Sequence, residues 1–290
     1  MVYRLKKALY GLKQAPRAWN EKIDAFFQRK GFHRSTADSN LYIYRENGLS
    51  TVIVLYVDDL IITGGNVEHI AQTKASLQSE FEMTDMGLLH FFLGLEIWQD
   101  QSGIFISQKR YVQELLQAFD MQDCRPISTP MDPNQKLSAH DDGELVDASM
   151  YRKLVGSLIW LLNTRLDISF PVGLLAGFMS QPKKTHWQGL RLLRYLKATP
   201  DRGIFYAAGK TEDEEVYLRG WTDSDWAGDV DDRRSTTGFC FTLGSGAISW
   251  SSKKQPTVAL SSTEAEYRAV CTGTCEVVWL RRLLGELGFP

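Results

Sequence analysis

The sequence predicts a mixed α+β or α/β protein that folds as more than one domain. Its 290 residues, of which 43% are hydrophobic, are enough for a packed core and about two domains. In the first half, runs of β-branched residues bounded by turn residues alternate with apolar residues at helical spacing. The last part has the pattern of three short strands followed by one long helix.

The first predicted elements are a helix and a hairpin. Pro16 is expected in the first turn of the helix, where proline is tolerated. Apolar residues then recur at helical spacing at Trp19, Ile23, Phe26 and Phe27. Residues 41–44 and 51–56 have the composition of strands, and Asn47-Gly48 between them is a strong hairpin signal.

A second hairpin is predicted directly after the first. We expect Asp58 and Asp59 at its tip and residues 60–63 in its return strand, which Gly64-Gly65 ends. Because residues 52–55 are fully apolar, their burial would hold this tip rigidly.

The next elements alternate between helix and hairpin. Residues 70–81 are predicted as a helix, and residues 111–119 as an amphipathic helix. Between them, residues 91–98 and 104–107 are predicted to pair across a turn at 100–103.

Residues 124–148 lose this regular pattern, and their prolines indicate a linker or a long surface loop. Residues 151–197 are mainly helical in pattern, and an acidic connection follows at 212–215. The strands predicted after it are 216–222, 237–243 and 247–251, with a helix at 263–287.

The composition argues against a membrane or secreted protein. The longest uncharged candidate for a membrane span, residues 168–182, is short and is interrupted by Pro171. The first residues contain no apolar region typical of a secretory signal. The four cysteines match neither a zinc pattern nor a disulfide framework, which favours a reducing intracellular compartment, cytoplasmic or nuclear.

The distribution of charge allows a nucleic-acid partner without requiring one. Net charge is −2, yet residues 1–34 contain nine Lys or Arg and two acids, a local charge of +7. A second basic stretch lies within 183–197. Such stretches can neutralise phosphates. On charge alone, a solvated helix face is the simpler interpretation.

Asp58 and Asp59 are candidates for metal binding. A rigid hairpin tip can present carboxylates to Mg²⁺, which prefers oxygen ligands. Neighbouring residues of a strand face opposite sides, so one of the two would be the main ligand at a given ion. Taken alone, an Asp-Asp pair is also ordinary turn chemistry.

Several further segments give these acids a context. Residues 9–19 (LYGLKQAPRAW), 56–59 (YVDD) and 92–97 (FLGLEI) resemble the nucleotide-site helix, the catalytic hairpin and the primer-gripping hairpin of copia-type retrotransposon reverse transcriptases. Segments similar to the thumb and connection region of that family are 151–156 (YRKLVG), 164–168 (TRLDI) and 193–197 (LRYLK). Family members usually have proline where this chain has Leu166. The resemblance extends over essentially all of the chain.

The resemblance implies roles in template-directed DNA synthesis. Asp58 would be a metal ligand and Asp59 its partner. Contacts to the incoming nucleotide or the template would come from Gln14, Tyr56, Arg17 and Lys13. The primer terminus would be braced by Phe92, Leu93 and Gly94. The implied chemistry is phosphoryl transfer with two Mg²⁺ (or Mn²⁺) ions per site, acting on an RNA template, a DNA primer and dNTPs.

The end of the chain resembles the RNase H domain of the same elements. Segments 221–228 (WTDSDWAG) and 261–269 (SSTEAEYRA) carry this resemblance. Asp223 and Glu266 would be its first two catalytic acids and metal ligands, with an RNA/DNA hybrid as substrate. From the residues alone Glu266 has another interpretation, because Thr263 and Glu266 fit a capping box at a helix start.

The resemblance divides the chain into parts of a polyprotein. Residues 1–123 would form a partial right-hand polymerase palm, 124–149 a linker, 150–210 a helical thumb and connection, and 216–290 a partial RNase H-like domain. In the family each catalytic site has further acids, and here only eight residues precede Leu9, none acidic. We therefore expect little activity from the chain alone and aggregation through open strand edges. A degenerate, non-catalytic binding fragment is the alternative, which flanking genomic sequence would separate from a working polyprotein segment.

Overall fold

The computed structural model describes residues 8–9, 11–132, 136–187, 189–209 and 217–289. The predicted acidic connection at 212–215 lies outside these residues. The fold mixes helices with antiparallel sheets and divides into two compact units. The first unit comprises Met1–Leu89 with Val278–Pro290, and the second comprises His90–Val277.

The first unit is a four-stranded antiparallel sheet with two helices. Its elements are α1 (Ala15–Arg29), β1 (His33–Arg34), β2 (Leu41–Glu46), β3 (Leu49–Tyr56), β4 (Asp59–Gly64) and α2 (Val67–Glu80). The strands follow one another in the sheet in chain order. The predicted first helix and first hairpin are confirmed. Asn47 and Gly48 both have positive φ, as a tight two-residue hairpin turn requires.

The core of this unit lies between the helices and one face of the sheet. On α1, Ile23, Phe26 and Phe27 are buried, as their helical spacing predicted. On β3, side chains alternate, with Ile53 and Leu55 buried and the residues between them more open. The sheet therefore has a covered face toward the helices and a second face on which Tyr56 lies.

Two predicted boundaries in this unit are wrong. Tyr56 pairs with Asp59, so the second hairpin turns at Val57-Asp58, and Asp59 begins β4 instead of sharing the tip. Helix α2 begins three residues earlier than predicted, because the Asn66 side chain accepts a hydrogen bond from the His69 amide and caps it.

The last turns of the final helix, α7 (Ser262–Leu287), belong to the first unit. The Trp279 indole donates to the carbonyl of Ala37, and the Thr36 hydroxyl donates to the Glu286 carboxylate. Arg45 of β2 donates to the carbonyl of Glu286. These bonds fix the end of α7 to the segment around β1 and β2.

The second unit contains two antiparallel sheets and a helical core. Its elements are β5 (Phe91–Phe92), β6 (Leu95–Asp100), β7 (Gly103–Ser107), α3 (Lys109–Ala118), α4 (Ala148–Leu161), α5 (Ser169–Ala176), α6 (Gly189–Ala198), β8 (Gly203–Ala207), β9 (Leu218–Ser224), β10 (Thr236–Leu243), β11 (Gly246–Lys254) and most of α7. Between α3 and α4 the described residues form neither helix nor regular strand, as predicted.

The first sheet of this unit corrects two expectations. Its order is β5-β6-β7-β8, and β8 was not predicted. The segment 91–98 is also not one strand, because Leu93 and Gly94 have positive φ and form a tight turn between β5 and β6.

The helical core is built from α3, α4, α5 and α6. Tyr151, Leu154 and Leu158 of α4 are fully buried, as are Leu193 and Leu196 of α6. None of the helices in the described part of the chain is long and apolar enough to cross a membrane.

The second sheet has the order β11-β10-β9, and helices lie against both of its faces. On one face, Gly273 of α7 lies so close to Thr222 that an added Cβ would meet its methyl group at 2.5 Å. On the other face, the Trp250 indole donates to the carbonyl of Leu162 just after α4. The predicted order of three strands followed by a helix is confirmed.

Candidate functional site

The acidic pair stands at the end of the β3-β4 hairpin. Asp58 is the second turn residue, and Asp59 is the first residue of β4, directly opposite Tyr56. Directly paired residues share a sheet face, so Asp59 and Tyr56 lie on the face away from Leu55 and the core. Both carboxylates are exposed, and neither has a hydrogen bond or an ion pair with any other described residue.

The turn itself has an unusual backbone. Val57 has a φ of 53°, in the left-handed region that β-branched residues rarely adopt. The indole N–H of Trp19 donates a 2.7 Å hydrogen bond to the Val57 carbonyl. Helix α1 is therefore bonded directly to the backbone of the residue between Tyr56 and Asp58.

The other residues predicted to contact nucleotide or template lie at the start of α1. Gln14 is the residue before the helix and makes no capping hydrogen bond with its side chain. Lys13 is exposed. Arg17 pairs at 2.8 Å with Glu21 one turn along the helix, and both side chains are well exposed. These residues thus lie in the first turn of α1 or just before it, on the helix whose Trp19 bonds to the hairpin turn.

All three predicted primer-gripping residues lie in the second unit. Phe92 ends β5, and Leu93 and Gly94 form the turn between β5 and β6. Gly94 packs against Trp160 of α4, since an added Cβ would meet the indole at 3.4 Å. The Gln108 side chain donates to the carbonyl of Trp160, which fixes this part of α4.

Asp223 lies near the end of β9, opposite Gly238 of β10. Because its neighbour Thr222 faces α7, Asp223 points to the other side of the sheet. There it lines a cleft of about 340 Å³ with Asp225, Ser169 and Phe170. Asp225 accepts a hydrogen bond from the Thr236 amide.

Glu266 is exposed in α7. The capping-box interpretation for Thr263 and Glu266 is wrong, because α7 already begins at Ser262. Ser261 caps the helix by accepting from the Glu264 amide at 3.1 Å, and the Glu264 carboxylate accepts from the Leu260 amide at 2.7 Å. Glu266 takes no part in the cap, while the structure places α7 and the Asp223 side chain on opposite faces of the sheet.

The fit of a divalent cation depends on the donors available at the hairpin. No group of three or more His, Cys, Asp or Glu in the described ranges could hold a metal ion. Asp58 and Asp59 nevertheless offer two exposed carboxylates without competing partners among those residues. Mg²⁺ typically binds through one or two carboxylates and completes its shell with water and substrate phosphates. The donor set at the hairpin fits this mode.

Trp19 is the one residue of this arrangement that was not predicted to belong to the site. Trp19 was assigned only to the apolar side of α1, although its indole reaches the hairpin turn 38 residues away. A signal was present, since the tryptophan ends the segment 9–19 that already carried the resemblance.

Comparison with known proteins gives a consistent result. The family model described as "Reverse transcriptase (RNA-dependent DNA polymerase)" matches residues 1–133. The Pol polyprotein from transposon RE1 of Arabidopsis thaliana is 44% identical over 288 residues, which cover 99% of this chain and 19% of that protein. The polyprotein from transposon TNT 1-94 of Nicotiana tabacum is 38% identical, with 99% of this chain and 22% of that protein covered.

A shorter relative matches along most of its own length. A putative transposon Ty5-1 protein of Saccharomyces cerevisiae is 32% identical over 92% of this chain and 86% of its own sequence. The chain thus spans about a fifth of the large polyproteins that it matches. No solved structure matches it significantly.

Proposed function

The chain belongs to the reverse transcriptase family of copia-type retrotransposon Pol polyproteins, and from this premise we propose that it contributes the catalytic hairpin of an RNA-directed DNA polymerase. The observation that carries the proposal is the β3-β4 turn, where two carboxylates without a partner among the described residues stand at the end of a strand that is buried on one face. A rigid position for exposed acids is what phosphoryl transfer requires of a protein.

Each residue at the turn has a task in this proposal. Asp58 and Asp59 hold Mg²⁺ or Mn²⁺, which would neutralise developing charge on the transferred phosphoryl group. Tyr56, on the same face as Asp59, flanks the incoming nucleotide. Gln14, Lys13 and Arg17 at the start of α1 contact the nucleotide or the template.

The second unit supplies the remaining parts. The tight turn of Leu93 and Gly94, with Phe92 before it, braces the primer terminus. The buried helices α4, α5 and α6 form the thumb and connection region. The proposed substrates are an RNA template, a DNA primer and dNTPs. The remaining segments of the polyprotein are the proposed partners. The proposed compartment is intracellular. We also propose that the palm ends at residue 123, the linker at residue 149 and the thumb and connection region at residue 210, as predicted.

For the C-terminal part we propose an RNase H-like unit acting on the RNA strand of an RNA/DNA hybrid. Its support is the order of elements along the chain, three strands (β9, β10 and β11) followed by the helix α7. Asp223 lies near the end of the first of these strands, and Glu266 takes no part in the helix cap. Asp223 is the first metal ligand of this unit. Glu266 is its second predicted acid, but it lies on the helix at the opposite face of the sheet from the Asp223 side chain and would not share the same ion. The test is cleavage of the RNA strand in an RNA/DNA hybrid. We expect Asp223→Asn to lose this cleavage and to retain primer extension.

Primer extension on a primed RNA template with Mg²⁺ tests the polymerase proposal. The chain is assayed alone and as a replacement for the matching segment of a related Pol polyprotein, which supplies the rest of the polymerase. We expect Mg²⁺-dependent extension by the hybrid polyprotein, lowered at least about a hundredfold by Asp58→Ala, because a metal ligand acts mainly in the transition state.

The matched control is Asp123→Ala, which removes an exposed carboxylate after α3. It should extend primers as well as the parent. A hybrid polyprotein that folds and is no slower with Asp58→Ala would refute the role of the hairpin. A folded polyprotein that extends no primer at all would favour the alternative of a non-catalytic fragment.

A further inference from the structure

The bond between Trp19 and Val57 joins two elements that are far apart in the chain. The indole N–H donates to the Val57 carbonyl at 2.7 Å, across 38 residues. The same indole ring meets the Phe81 ring edge-on, with centroids 5.3 Å apart. Phe81 is itself buried and lies edge-on to Phe26 of α1. The indole ring is therefore held against the core of the first unit while its N–H donates to the turn.

The turn needs this support because valine disfavours the left-handed backbone conformation that Val57 adopts there. A valine at a φ of 53° has no glycine-like freedom, and its side chain is exposed, so burial does not compensate the strain. Val57 is the residue immediately before Asp58. A rotation of its peptide plane therefore moves the Asp58 backbone and carboxylate directly.

The choice of tryptophan follows from this geometry. Trp, Phe and Tyr can all fill the space beside Phe81, but phenylalanine has no donor. The indole carries its single donor on the rim of a large rigid ring with only two rotatable bonds. One side chain thus joins the core of the first unit to one backbone oxygen of the turn.

We propose that Trp19 is a positioning residue, which holds the Val57-Asp58 turn in its strained conformation and so fixes the Asp58 carboxylate for nucleotidyl transfer. The proposal rests on the proposed function for its catalytic part. Its structural part, the restraint of the turn by the indole N–H, stands apart from activity and is tested separately.

The structural test is hydrogen exchange, followed by mass spectrometry, on the parent chain and Trp19→Phe. This variant keeps an aromatic ring beside Phe81 and loses the N–H donor together with part of the indole's volume. We expect peptides that contain residues 55–60 to exchange about fivefold faster, which corresponds to the loss of one ordinary hydrogen bond. Peptides from the middle of α1 should be unchanged. The matched control is Trp98→Phe, since Trp98 is 69% exposed on β6 and lies in the other unit.

The functional test uses the hybrid polyprotein of the polymerase assay. Trp19→Phe should lower kcat about tenfold and leave KM for the dNTP within about twofold, because it disturbs a ligand used in the transition state. It should also raise the Mg²⁺ concentration needed for half-maximal rate, a readout that loss of general stability does not move. Trp98→Phe should change none of these quantities.

Each outcome is decisive. Unchanged exchange at 55–60 in Trp19→Phe overturns the restraint, whatever the activity. Faster exchange with unchanged kcat and Mg²⁺ requirement overturns the positioning role while the restraint stands. If Asp58→Ala is fully active, the proposed function fails, and the exchange result alone then decides the restraint.

Discussion

The most deeply buried Arg side chain among the described residues shows how single residues stabilise the second unit. Arg165 is 1% exposed and donates two hydrogen bonds of 2.9 Å to the two oxygens of Asp167. Two further N–H groups donate to the carbonyl and the hydroxyl of Thr199. Tyr195 donates to the same carboxylate at 2.7 Å. The guanidinium thus makes four hydrogen bonds and faces a carboxylate counter-charge, which a buried charge requires.

We predict that Asp167→Asn lowers the free energy of unfolding by about 3 kcal/mol, because the buried guanidinium loses its counter-charge. Urea unfolding at pH 7 measures this loss. Glu114→Gln removes an acid from the exposed pair with Arg110, and it should change stability by less than about 0.5 kcal/mol. Equal effects of the two substitutions would contradict a special role for the buried pair.

The same pair predicts a pH dependence. Burial alone raises the pKa of Asp167, but the hydrogen bonds from Arg165 and Tyr195 and the charges of Arg165 and Arg202 outweigh it and hold the pKa below the ordinary value. A lowered folded-state pKa stabilises the fold above the ordinary Asp value of about 4, and this contribution is lost as pH falls through the folded-state pKa. The stability difference between the parent and Asp167→Asn should therefore shrink below about pH 4.

At the residue scale, the sequence predicted which side chains matter better than it predicted their contacts. Asp58 and Asp59 could be located because they follow an apolar run. The bond from Trp19 to Val57 could not be predicted, because it depends on how α1 lies against the sheet. The same holds for Asp223, whose choice of sheet face follows from the packing of Gly273 against Thr222.

Among the elements, the β3-β4 hairpin depends on a glycine at its far end. Gly64 has a φ of 152°, and an added Cβ would lie 2.2 Å from the carbonyl oxygen of Ser50. A backbone atom cannot move aside as a side chain can, so the strand itself would have to shift. Gly64 thus sets how closely β4 approaches β3.

We predict that Gly64→Ala destabilises the chain by about 2 kcal/mol, through this clash and the unfavourable φ. The matched substitution is Gly156→Ala in the exposed middle of α4, where an added Cβ meets no atom within 4 Å. It should stabilise by up to about 1 kcal/mol, because alanine is the better helix former. Thermal unfolding of both variants should therefore show a lowered Tm for Gly64→Ala and a raised Tm for Gly156→Ala.

Elements that depend on the conformational preferences of their own residues were predicted well. Elements that depend on pairing with a segment far away in the chain were not. Asn47-Gly48 fixes the first hairpin through its own backbone preferences. The short strand β8 was missed because it is paired with β7, a hundred residues earlier in the chain. The turn at Leu93-Gly94 was hidden because leucine in the left-handed region interrupts an otherwise apolar, strand-like run.

At the scale of the whole molecule, each unit has an open sheet edge among the residues that the structure describes. Strand β4 is the last strand of the first sheet, and β9 is the last strand of the β11-β10-β9 sheet. Open edges present unpaired N–H and C=O groups, which can pair with another chain.

We predict that the isolated chain associates as its concentration rises. Sedimentation velocity over a hundredfold dilution series should give an increasing average mass, and Thr63→Lys on the exposed end of β4 should reduce the increase, because a charge disfavours edge pairing. The mass of a single chain at every concentration, together with one cooperative melting transition, would contradict this prediction.

The central claim, that Asp58 on the β3-β4 turn serves nucleotidyl transfer, is tested most directly by the rate of a single nucleotide addition. The measurement is the single-turnover addition of one dNTP to a primed RNA template by the hybrid polyprotein, at saturating Mg²⁺, with Asp58 or with Asp58→Asn. We predict a fall of at least about a hundredfold for the variant with unchanged binding of the primed template. Equal rates for the two proteins would contradict the account.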